Sequence, residues 1–216
     1  MDAALLQTKI NQGYAKAAKR LGYQCDVFRP SSSTTPLALV NRIAGVLVSV
    51  NAKDFTYSKP NLYGSPIYYG MYDGAVTQPG DYLVRVLDGA TYFVAAQQPH
   101  LPIALVECNR TVSVYRPQQQ TGIGAQGYGG DTDANETLLM QAWPASMLQG
   151  PKGEKSETNL PGDARNAWNA VLMPSFDGVV LRSDDILVDD LARRFVLSSV
   201  ELTDLGYRMT AMQAQT

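Results

Sequence analysis

Apolar residues recur at helical spacing near the start of the chain and at strand spacing in most of the remainder. Between residues 3 and 21 they return every three or four positions, with basic side chains falling mostly between them. Asp2 can cap the start of this predicted amphipathic helix and Gly22 its end. Such a helix is marginally stable alone, so we expect it to pack on its own domain or on a neighbour. Its apolar positions are Leu5, Leu6, Ile10, Tyr14, Ala17, Ala18 and Leu21.

Short runs of β-branched and aromatic residues, separated by turn residues, come after a polar loop at residues 31–36. This pattern indicates short strands joined by tight turns. Strands of this length and spacing are typical of a small barrel or sandwich. The sequence therefore predicts a mainly β protein with two small β-barrel- or sandwich-like modules, an N-terminal amphipathic helix and long flexible arms. The strand-like runs are 43–50, 82–87, 92–96, 103–106, 112–115 and the stretch 168–212.

Two segments of the chain show the same order of residue types. In each, a turn acid, Asp81 or Asp185, opens a hairpin whose second strand carries Phe93 or Phe195. The acid and the aromatic are 12 positions apart in the first copy (93 − 81) and 10 in the second (195 − 185), so the hairpin tips are expected to differ by two residues. Each copy is expected to end in a further strand. The parallel predicts two related β modules. The matched segments are 79–84 with 92–96 and 183–188 with 194–199, and the final strands are 112–115 and 207–211.

The same patterns divide the chain into four parts. Residues 117–135 are rich in Gln, Gly and Asp, and residues 149–163 are polar, whereas residues 136–147 between them are apolar. We expect an N-terminal helix and lead-in, a first β module, a linker or extended arm, and a second β module. Their predicted ranges are 1–30, 31–116, 117–167 and 168–216.

Composition favours a protein whose surface is covered by neighbours. Only 18% of the residues are charged, and the chain contains 12 Tyr and 18 Gly. Tyrosine supplies contact area at a low entropic cost. The net charge of −2 and the absence of a basic, aromatic-interleaved tract argue against specific nucleic-acid binding.

The cysteines and the N-terminus bear on where the chain is made. Cys25 and Cys108 lie far apart without a CxxC spacing, so reduced thiols are expected rather than a disulfide framework. The first residues lack the basic and apolar regions of a signal peptide, and no stretch approaches the roughly 20 apolar residues that cross a bilayer. We expect synthesis in a cytoplasm and no membrane partner.

Candidate catalytic residues are few. His100, the single histidine, stands in a turn bounded by Pro99 and Pro102, and no GxSxG motif accompanies it. Asp184 and Asp189 could form a carboxylate pair, but their positions at the two ends of a short strand fit turn-forming aspartates better. The sequence therefore predicts a protein that is not an enzyme, with no catalytic residues.

Two motifs resemble cofactor or metal sites only in part. Residues 122–127 match GxGxxG, but the run Gln118-Gln119-Gln120 precedes them and no helix can follow, so a dinucleotide site is not expected. Asp131 and Asp133 have the opening spacing of a calcium loop without its sixth-position glycine or its final Glu. We predict no cofactor and leave cation binding at Asp131 and Asp133 open.

Several short motifs are spread over most of the chain. They are the helix segment Leu6-Gln7-Thr8-Lys9-Ile10-Asn11-Gln12-Gly13-Tyr14, Phe28-Arg29-Pro30, Gly80-Asp81-Tyr82-Leu83-Val84, Tyr92-Phe93-Val94-Ala95-Ala96-Gln97-Gln98-Pro99, Glu107-Cys108-Asn109-Arg110, Gly127-Tyr128-Gly129-Gly130, Trp143-Pro144-Ala145-Ser146, residues 189–197 and residues 201–208. Together these motifs resemble a family of tailed-bacteriophage and prophage virion proteins. One departure is Leu191-Ala192, where such proteins often have Leu-Gly, and it affects a turn only.

The resemblance implies a non-enzymatic structural piece of the tail apparatus, localised to the virion. It implies a homo-oligomeric ring that joins other neck, tail-tube or baseplate proteins, either as a head-to-tail connector or as a distal adaptor. We expect the isolated chain to be a monomer with mobile arms that become ordered on assembly. The predicted interface residues lie on the helix, in a tyrosine cluster and in the glycine-rich arm: Leu6, Ile10, Tyr14, Tyr68, Tyr69 and Tyr128.

Two other functions stay open at this point. A tail-tip cell-wall hydrolase would use aspartate pairs such as Asp184 and Asp189. A glycan- or receptor-binding module would stack sugars on the cluster formed by Tyr63, Tyr68, Tyr69 and Tyr72.

Overall fold

The computed structural model describes residues 2–51, 64–118, 135–150 and 168–214. The predicted helix is confirmed as α1, Ala3–Leu21. At its start the Asp2 carboxylate accepts a hydrogen bond from the Ala4 N–H at 3.4 Å, and at its end the Gly22 N–H donates to the Ala18 carbonyl at 2.8 Å. Both caps satisfy backbone groups that a helix leaves unpaired at its termini.

The described residues also form twelve strands, six in each of two antiparallel sheets. The first sheet contains β1 (Tyr23–Phe28), β2 (Arg42–Asn51), β3 (Ile67–Met71), β4 (Tyr82–Arg85), β5 (Thr91–Ala96) and β6 (Ile103–Cys108). The second contains β7 (Arg110–Pro117), β8 (Glu136–Gln149), β9 (Trp168–Met173), β10 (Ile186–Asp189), β11 (Arg194–Thr203) and β12 (Gly206–Gln213). The predicted mainly β fold is confirmed.

Both sheets close into barrels, so neither module is a sandwich. The first barrel has the strand order β1-β2-β3-β6-β5-β4, and β4 pairs back onto β1. The second has the order β10-β11-β12-β9-β8-β7, and β7 pairs back onto β10. Closure gives every described strand a neighbour on both sides, so these strands present no open sheet edge for edge-to-edge aggregation.

The two barrels have the same topology and nearly the same register. When the six strands of each are numbered in chain order, the first pairs with the second and fourth, and the third pairs with the sixth, in both. Phe28 of β1 faces Tyr82 of β4, and Tyr115 of β7 faces Ile186 of β10. Each fifth strand also has a register shift at the same place, at Ala95 in β5 and at Ser198 in β11. The predicted relationship between the two modules therefore extends to whole barrels.

The barrel interiors match in the same way. Nine buried apolar residues form the core of the first barrel, and the register places a buried apolar residue at each counterpart in the second. Side chains alternate between the two faces of a strand, so a shared register brings the same set of positions inside. The pairs are Cys25 and Val112, Val27 and Val114, Val48 and Ala145, Tyr72 and Met173, Leu83 and Leu187, Tyr92 and Phe195, Val94 and Leu197, Ile103 and Met209, and Leu105 and Ala211.

The predicted module boundaries need correction at three strands. β1 falls in the predicted lead-in 1–30 but belongs to the first barrel, and β7 falls in the predicted first module 31–116 but opens the second barrel. β8 lies within the predicted arm 117–167 and is also a strand of the second barrel. Only Asn109 separates β6 from β7, so no polar linker marks the passage between the barrels. Residues 119–134 and 151–167, which include most of the predicted arms, lie outside the described residues.

The predicted alignment of the two hairpins is right at the acids and wrong by one residue at the aromatics. Leu83 pairs with Tyr92 and Leu187 pairs with Phe195, so Phe195 corresponds to Tyr92 and not to Phe93. The separations are therefore 11 (92 − 81) and 10 (195 − 185), and the hairpins differ by one residue. Likewise, the counterpart of β12 is β6 and not the segment 112–115.

Helix α1 packs on β2 and β3 of the first barrel. Ala18 is its one fully buried side chain among the described residues, and Gly22 lies against the Val48 backbone. Near its start the Gln7 side-chain oxygen accepts a hydrogen bond from the His100 N–H at 2.7 Å. The helix is thus held at both ends, while Leu5 and Leu6 remain exposed.

Candidate assembly interface

Four aromatic and aliphatic side chains on the outside of the first barrel form its contact with the second barrel. They lie side by side across neighbouring strands, Phe28 facing Tyr82, Tyr82 facing Phe93 and Phe93 facing Val106. All four are buried, although they point away from the interior of their own barrel, and they share one apolar cluster with the core of the second barrel. We call Phe28, Tyr82, Phe93 and Val106 the contact row.

Tyr82 and Trp143 make the central contact between the barrels. Their rings meet edge to face at 6.0 Å between centroids, and the Tyr82 hydroxyl donates to the Pro144 carbonyl at 2.9 Å. The Trp143 Nε1–H donates to the Ser33 carbonyl at 2.6 Å, and its ring also meets Phe176 at 5.6 Å. Buried aromatic side chains with satisfied polar atoms are typical of rigid interfaces.

A cleft of about 880 Å³ lies beside this contact, between the two barrels. Phe93, Ala95 and Val106 line its first-barrel side, and Leu148, Ala170 and Leu172 line the other. The second barrel therefore receives the first on the outside of β8 and β9. We call this surface of β8 and β9 the receiving face.

The contact row and the receiving face are different surfaces of the repeated barrel: the internal repeat does not relate one to the other. By register, the second-barrel counterparts of the contact row lie on β7, β10, β11 and β12, and not on the receiving face. A contact between unlike surfaces is heterologous, or head-to-tail, and it leaves one copy of each surface outside the contact between the barrels. This arrangement is the feature of the molecule that bears most directly on assembly.

Each barrel also carries a buried aspartate that binds an arginine across two strands. Arg29 donates from Nε and Nη2 to Asp81 at 2.9 and 2.7 Å, and the Gln78 N–H donates to the same carboxylate at 2.9 Å. Arg116 donates to Asp185 in the same way, at 2.8 Å from both nitrogens, with the Arg182 N–H at 2.7 Å. Bidentate pairing of this kind fixes geometry as well as charge.

The arginine partners of these aspartates are absent from the sequence-based predictions. A signal was present, because Phe28-Arg29-Pro30 and Tyr115-Arg116-Pro117 repeat the order aromatic, Arg, Pro. The two motifs hold the first strand of each barrel to the turn before the fourth. Asp81 and Asp185 are therefore structural residues of equivalent turns.

The two aspartates of the hydrolase hypothesis lie in different surroundings. Asp184 is exposed in the turn before β10 with a φ of 70°. Asp189 is buried at the other end of β10, where it accepts hydrogen bonds from the N–H groups of Leu191 and Arg193 and from the Arg193 side chain. Burial alone would raise the pKa of Asp189, but the hydrogen bonds and charge of Arg193 outweigh burial and lower it. Asp189 thus organises a turn as an ionised carboxylate.

This arrangement gives a pH dependence to stability. Because the folded-state pKa of Asp189 is lowered, its contribution is fully present above the ordinary value near 3.8 and is lost as the pH falls through the folded pKa. We expect Asp189→Asn to cost about 2 kcal/mol at pH 7, since hydrogen bonds to a charged group are weakened. The difference from wild type should shrink as the pH falls below about 4.

Urea denaturation at a series of pH values measures both effects. Asp190→Asn is the matched control, because Asp190 is exposed and its ion pair with Arg110 is long, at 3.6 Å. It should change the unfolding free energy by less than about 0.5 kcal/mol. An Asp189→Asn difference that does not shrink as the pH is lowered below about 4 would contradict the role assigned to the ionised carboxylate.

The cysteines and the histidine have structural surroundings. Cys25 points into the first barrel, and burial raises its pKa to about 11. Burial also raises the pKa of Cys108 well above its ordinary value. A thiol in this state is a poor nucleophile at neutral pH. His100 is exposed in the loop after β5, with its ring 3.2 Å from the Ala3 carbonyl of α1.

The predicted interface residues on the helix lie at its surface. Leu6 is exposed, and Ile10 and Tyr14 are half-buried. They are available to a partner only on the side of α1 that does not face β2 and β3. That they bind a partner stays a prediction.

Among the described members of the predicted tyrosine cluster, Tyr68, Tyr69 and Tyr72 do not form one exposed platform. Tyr68 packs against the interior of the first barrel, edge to face with Tyr92 at 6.0 Å, and Tyr72 is fully buried with its hydroxyl 3.0 Å from that of Thr77. Tyr69, which follows Tyr68 in the chain, is half-buried on β3. Tyr63, Tyr128, Asp131 and Asp133 lie outside the described residues.

Ligands and relatives add no constraint to this picture. Within the described ranges, no three His, Cys, Asp or Glu side chains come together as metal ligands. In the same part of the chain, no helix combines the length and apolar composition that crossing a membrane requires. No family model, no curated protein and no solved structure matches the chain.

Proposed function

We propose that this chain is a non-enzymatic structural protein of a bacteriophage virion that assembles as a ring in the tail apparatus. In that ring it joins neighbouring components, either at the neck as a head-to-tail connector or at the tail tube and baseplate as an adaptor. The proposal combines the sequence resemblance with the internal repeat of the fold.

The head-to-tail contact between two matching barrels is the observation that carries the proposal. The contact row binds the receiving face within one chain, so the same operation can be repeated between chains. Because each chain contains two matching barrels, a closed ring would contain twice as many barrels as chains. Such a ring suits a tubular particle, because equivalent barrels can contact components of different symmetry above and below it.

The placement of the reactive side chains also supports a structural role. The buried carboxylates Asp81, Asp185 and Asp189 are each bound to an arginine and to backbone N–H groups. Groups committed to turn geometry in this way are not free to transfer protons or to bind a substrate. The proposal assigns them to holding the barrels in shape.

Mass spectrometry of purified particles from the phage or prophage that encodes the chain tests the proposal. We expect the chain at a copy number per particle that fits one ring, and particles lacking neck or distal tail components when its gene is deleted. A protein from the same genome that acts only before packaging is a suitable control, because it should be absent from the purified particles. Normal, infectious particles without the chain would contradict the proposal, as would peptidoglycan cleavage by the purified protein that Asp184→Asn and Asp189→Asn abolish.

A further inference from the structure

The second barrel carries a surface row that matches the contact row of the first. Tyr115 faces Ile186, Ile186 faces Val196, and Val196 faces Met212 across neighbouring strands. These are the register counterparts of Phe28, Tyr82, Phe93 and Val106. We call Tyr115, Ile186, Val196 and Met212 the open row.

The open row is apolar, like the contact row, but it is not covered to the same extent. All four contact-row residues are buried, whereas in the open row only Ile186 is buried, Tyr115 and Val196 are half-buried and Met212 is 39% exposed. Next to the row, Ser198 is exposed where its counterpart Ala95 is buried against the second barrel. A registered apolar row at the surface is a typical feature of a protein contact site.

The first barrel has the surface that such a row would bind. By register, Pro144, Ser146 and Leu172 of the receiving face correspond to Leu47, Ser49 and Met71 on the outside of β2 and β3. Helix α1 lies on these two strands. The helix therefore occupies, on the first barrel, the place that the first barrel occupies on the second.

We propose that the open row of one chain binds the β2–β3 face of the first barrel of a second copy, in place of helix α1. This deepens the proposed function, because it rests on ring assembly and names the self-contact that builds the ring. First and second barrels then alternate around the assembly, with the contact inside each chain repeated between chains. Helix α1 acts as a removable cover that weakens the association of free chains without abolishing it.

The contacts of α1 fit a removable cover. Ala18 is its one fully buried side chain within the described residues, and the end near Gln7 is held by hydrogen bonds to the exposed His100. Ile10, Tyr14 and Ala17 in the middle of the helix are only half-buried, so its packing on the barrel is partial. Leu5 and Leu6, 49% and 39% exposed, add apolar surface that a released helix can place on another component.

Cross-linking between differently substituted chains tests this contact. One full-length chain carries Met212→Cys on the open row, and the other carries Leu47→Cys on β2, where the side chain is 37% exposed. A short bismaleimide should join these chains into a dimer. The matched control replaces the second chain by Leu87→Cys, at the tip of the β4–β5 hairpin, where the side chain is 75% exposed.

We expect roughly tenfold more cross-linked dimer for the Leu47→Cys partner than for the Leu87→Cys partner, since an interface anchor lowers the dissociation constant by about that factor. Adding Ala18→Glu to the Leu47→Cys chain should raise the yield severalfold, because the helix can no longer pack on β2. Far-ultraviolet circular dichroism checks that both barrels remain folded in every variant.

Two outcomes would overturn the inference. One is equal yields for the Leu47→Cys and Leu87→Cys partners, and the other is a Leu47→Cys yield that Val196→Lys on the open row leaves unchanged. Either result, with the chain still found in purified particles, would reject this contact and leave the proposed function standing. Absence of the chain from particles would reject the proposed function, whatever the cross-linking yield.

Discussion

Trp143→Ala is expected to lower the free energy of unfolding by about 4 kcal/mol, in the range measured for truncating a buried tryptophan. The Trp143 side chain is fully buried and contacts Tyr82 of the first barrel as well as Phe176 of the second. Its loss opens a cavity at the contact between the barrels and removes the indole N–H at 2.6 Å from the Ser33 carbonyl, which keeps only its hydrogen bond from the Gln141 N–H at 2.9 Å. Urea denaturation followed by tyrosine and tryptophan fluorescence measures the change.

Trp168→Ala is the matched control, because Trp168 is only half-buried at the edge of the cleft. It should cost about 2 kcal/mol or less. Equal losses for the two variants, or a Trp143→Ala cost below about 2 kcal/mol, would mean that the contact between the barrels does not depend on Trp143.

Asp185→Ala is expected to cost about 3 kcal/mol, and Asp81→Ala a similar amount, because the two residues occupy the same position in the two barrels. Each substitution leaves an arginine without its bidentate partner and a backbone N–H of the turn without its acceptor. Removing one member of a buried charged pair is among the more costly single changes, and partial exposure of Arg116 moderates the cost. Thermal or urea unfolding of the two variants side by side measures it.

Asp184→Gly provides the control in the neighbouring position. Asp184 is exposed at a φ of 70°, and its counterpart in the first barrel is Gly80, at a φ of 92°. Glycine adopts this left-handed conformation without steric cost, so the change should stay within about 1 kcal/mol of wild type. If Asp185→Ala lowered the free energy of unfolding by no more than Asp184→Gly changes it, the arginine-bound aspartates would not stabilise the barrels as described.

The helix and most strands were predictable from the sequence, because their signals are local. The helix from Ala3 to Leu21 follows from apolar spacing and from the caps at Asp2 and Gly22. The parallel between Asp81 and Asp185 was visible because a turn acid that binds an arginine and a turn N–H is hard to replace. Both predictions rest on residues close to one another in the chain or on a repeated motif.

The barrel boundaries were not predictable in the same way. β6, the last strand of the first barrel, and β7, the first strand of the second, have the same alternation of inward-facing and outward-facing residues. Asn109 alone separates them. The apolar run in β8 was assigned to a linker because polar segments flank it on both sides. Which strands close a barrel is decided by long-range pairing, and that pairing leaves little trace in local composition.

The candidate interface could be predicted only in part. Leu6 and Ile10 were selected from the helix pattern, which does not tell the face that packs on the barrel from the face that remains open. The contact row was hidden because Tyr82 and Phe93 look like ordinary strand residues until the register shows them outside their own barrel. The open row is recognisable only from the strand register that the two barrels share.

Electron cryomicroscopy of the purified particle would show whether the chain builds such a ring. We expect a ring in the tail apparatus in which first and second barrels alternate, with the open row of each chain against β2 and β3 of the next. A reconstruction that accounts for every protein of the particle without this chain, or that shows the open row of a bound chain facing solvent, would be incompatible with the proposed assembly.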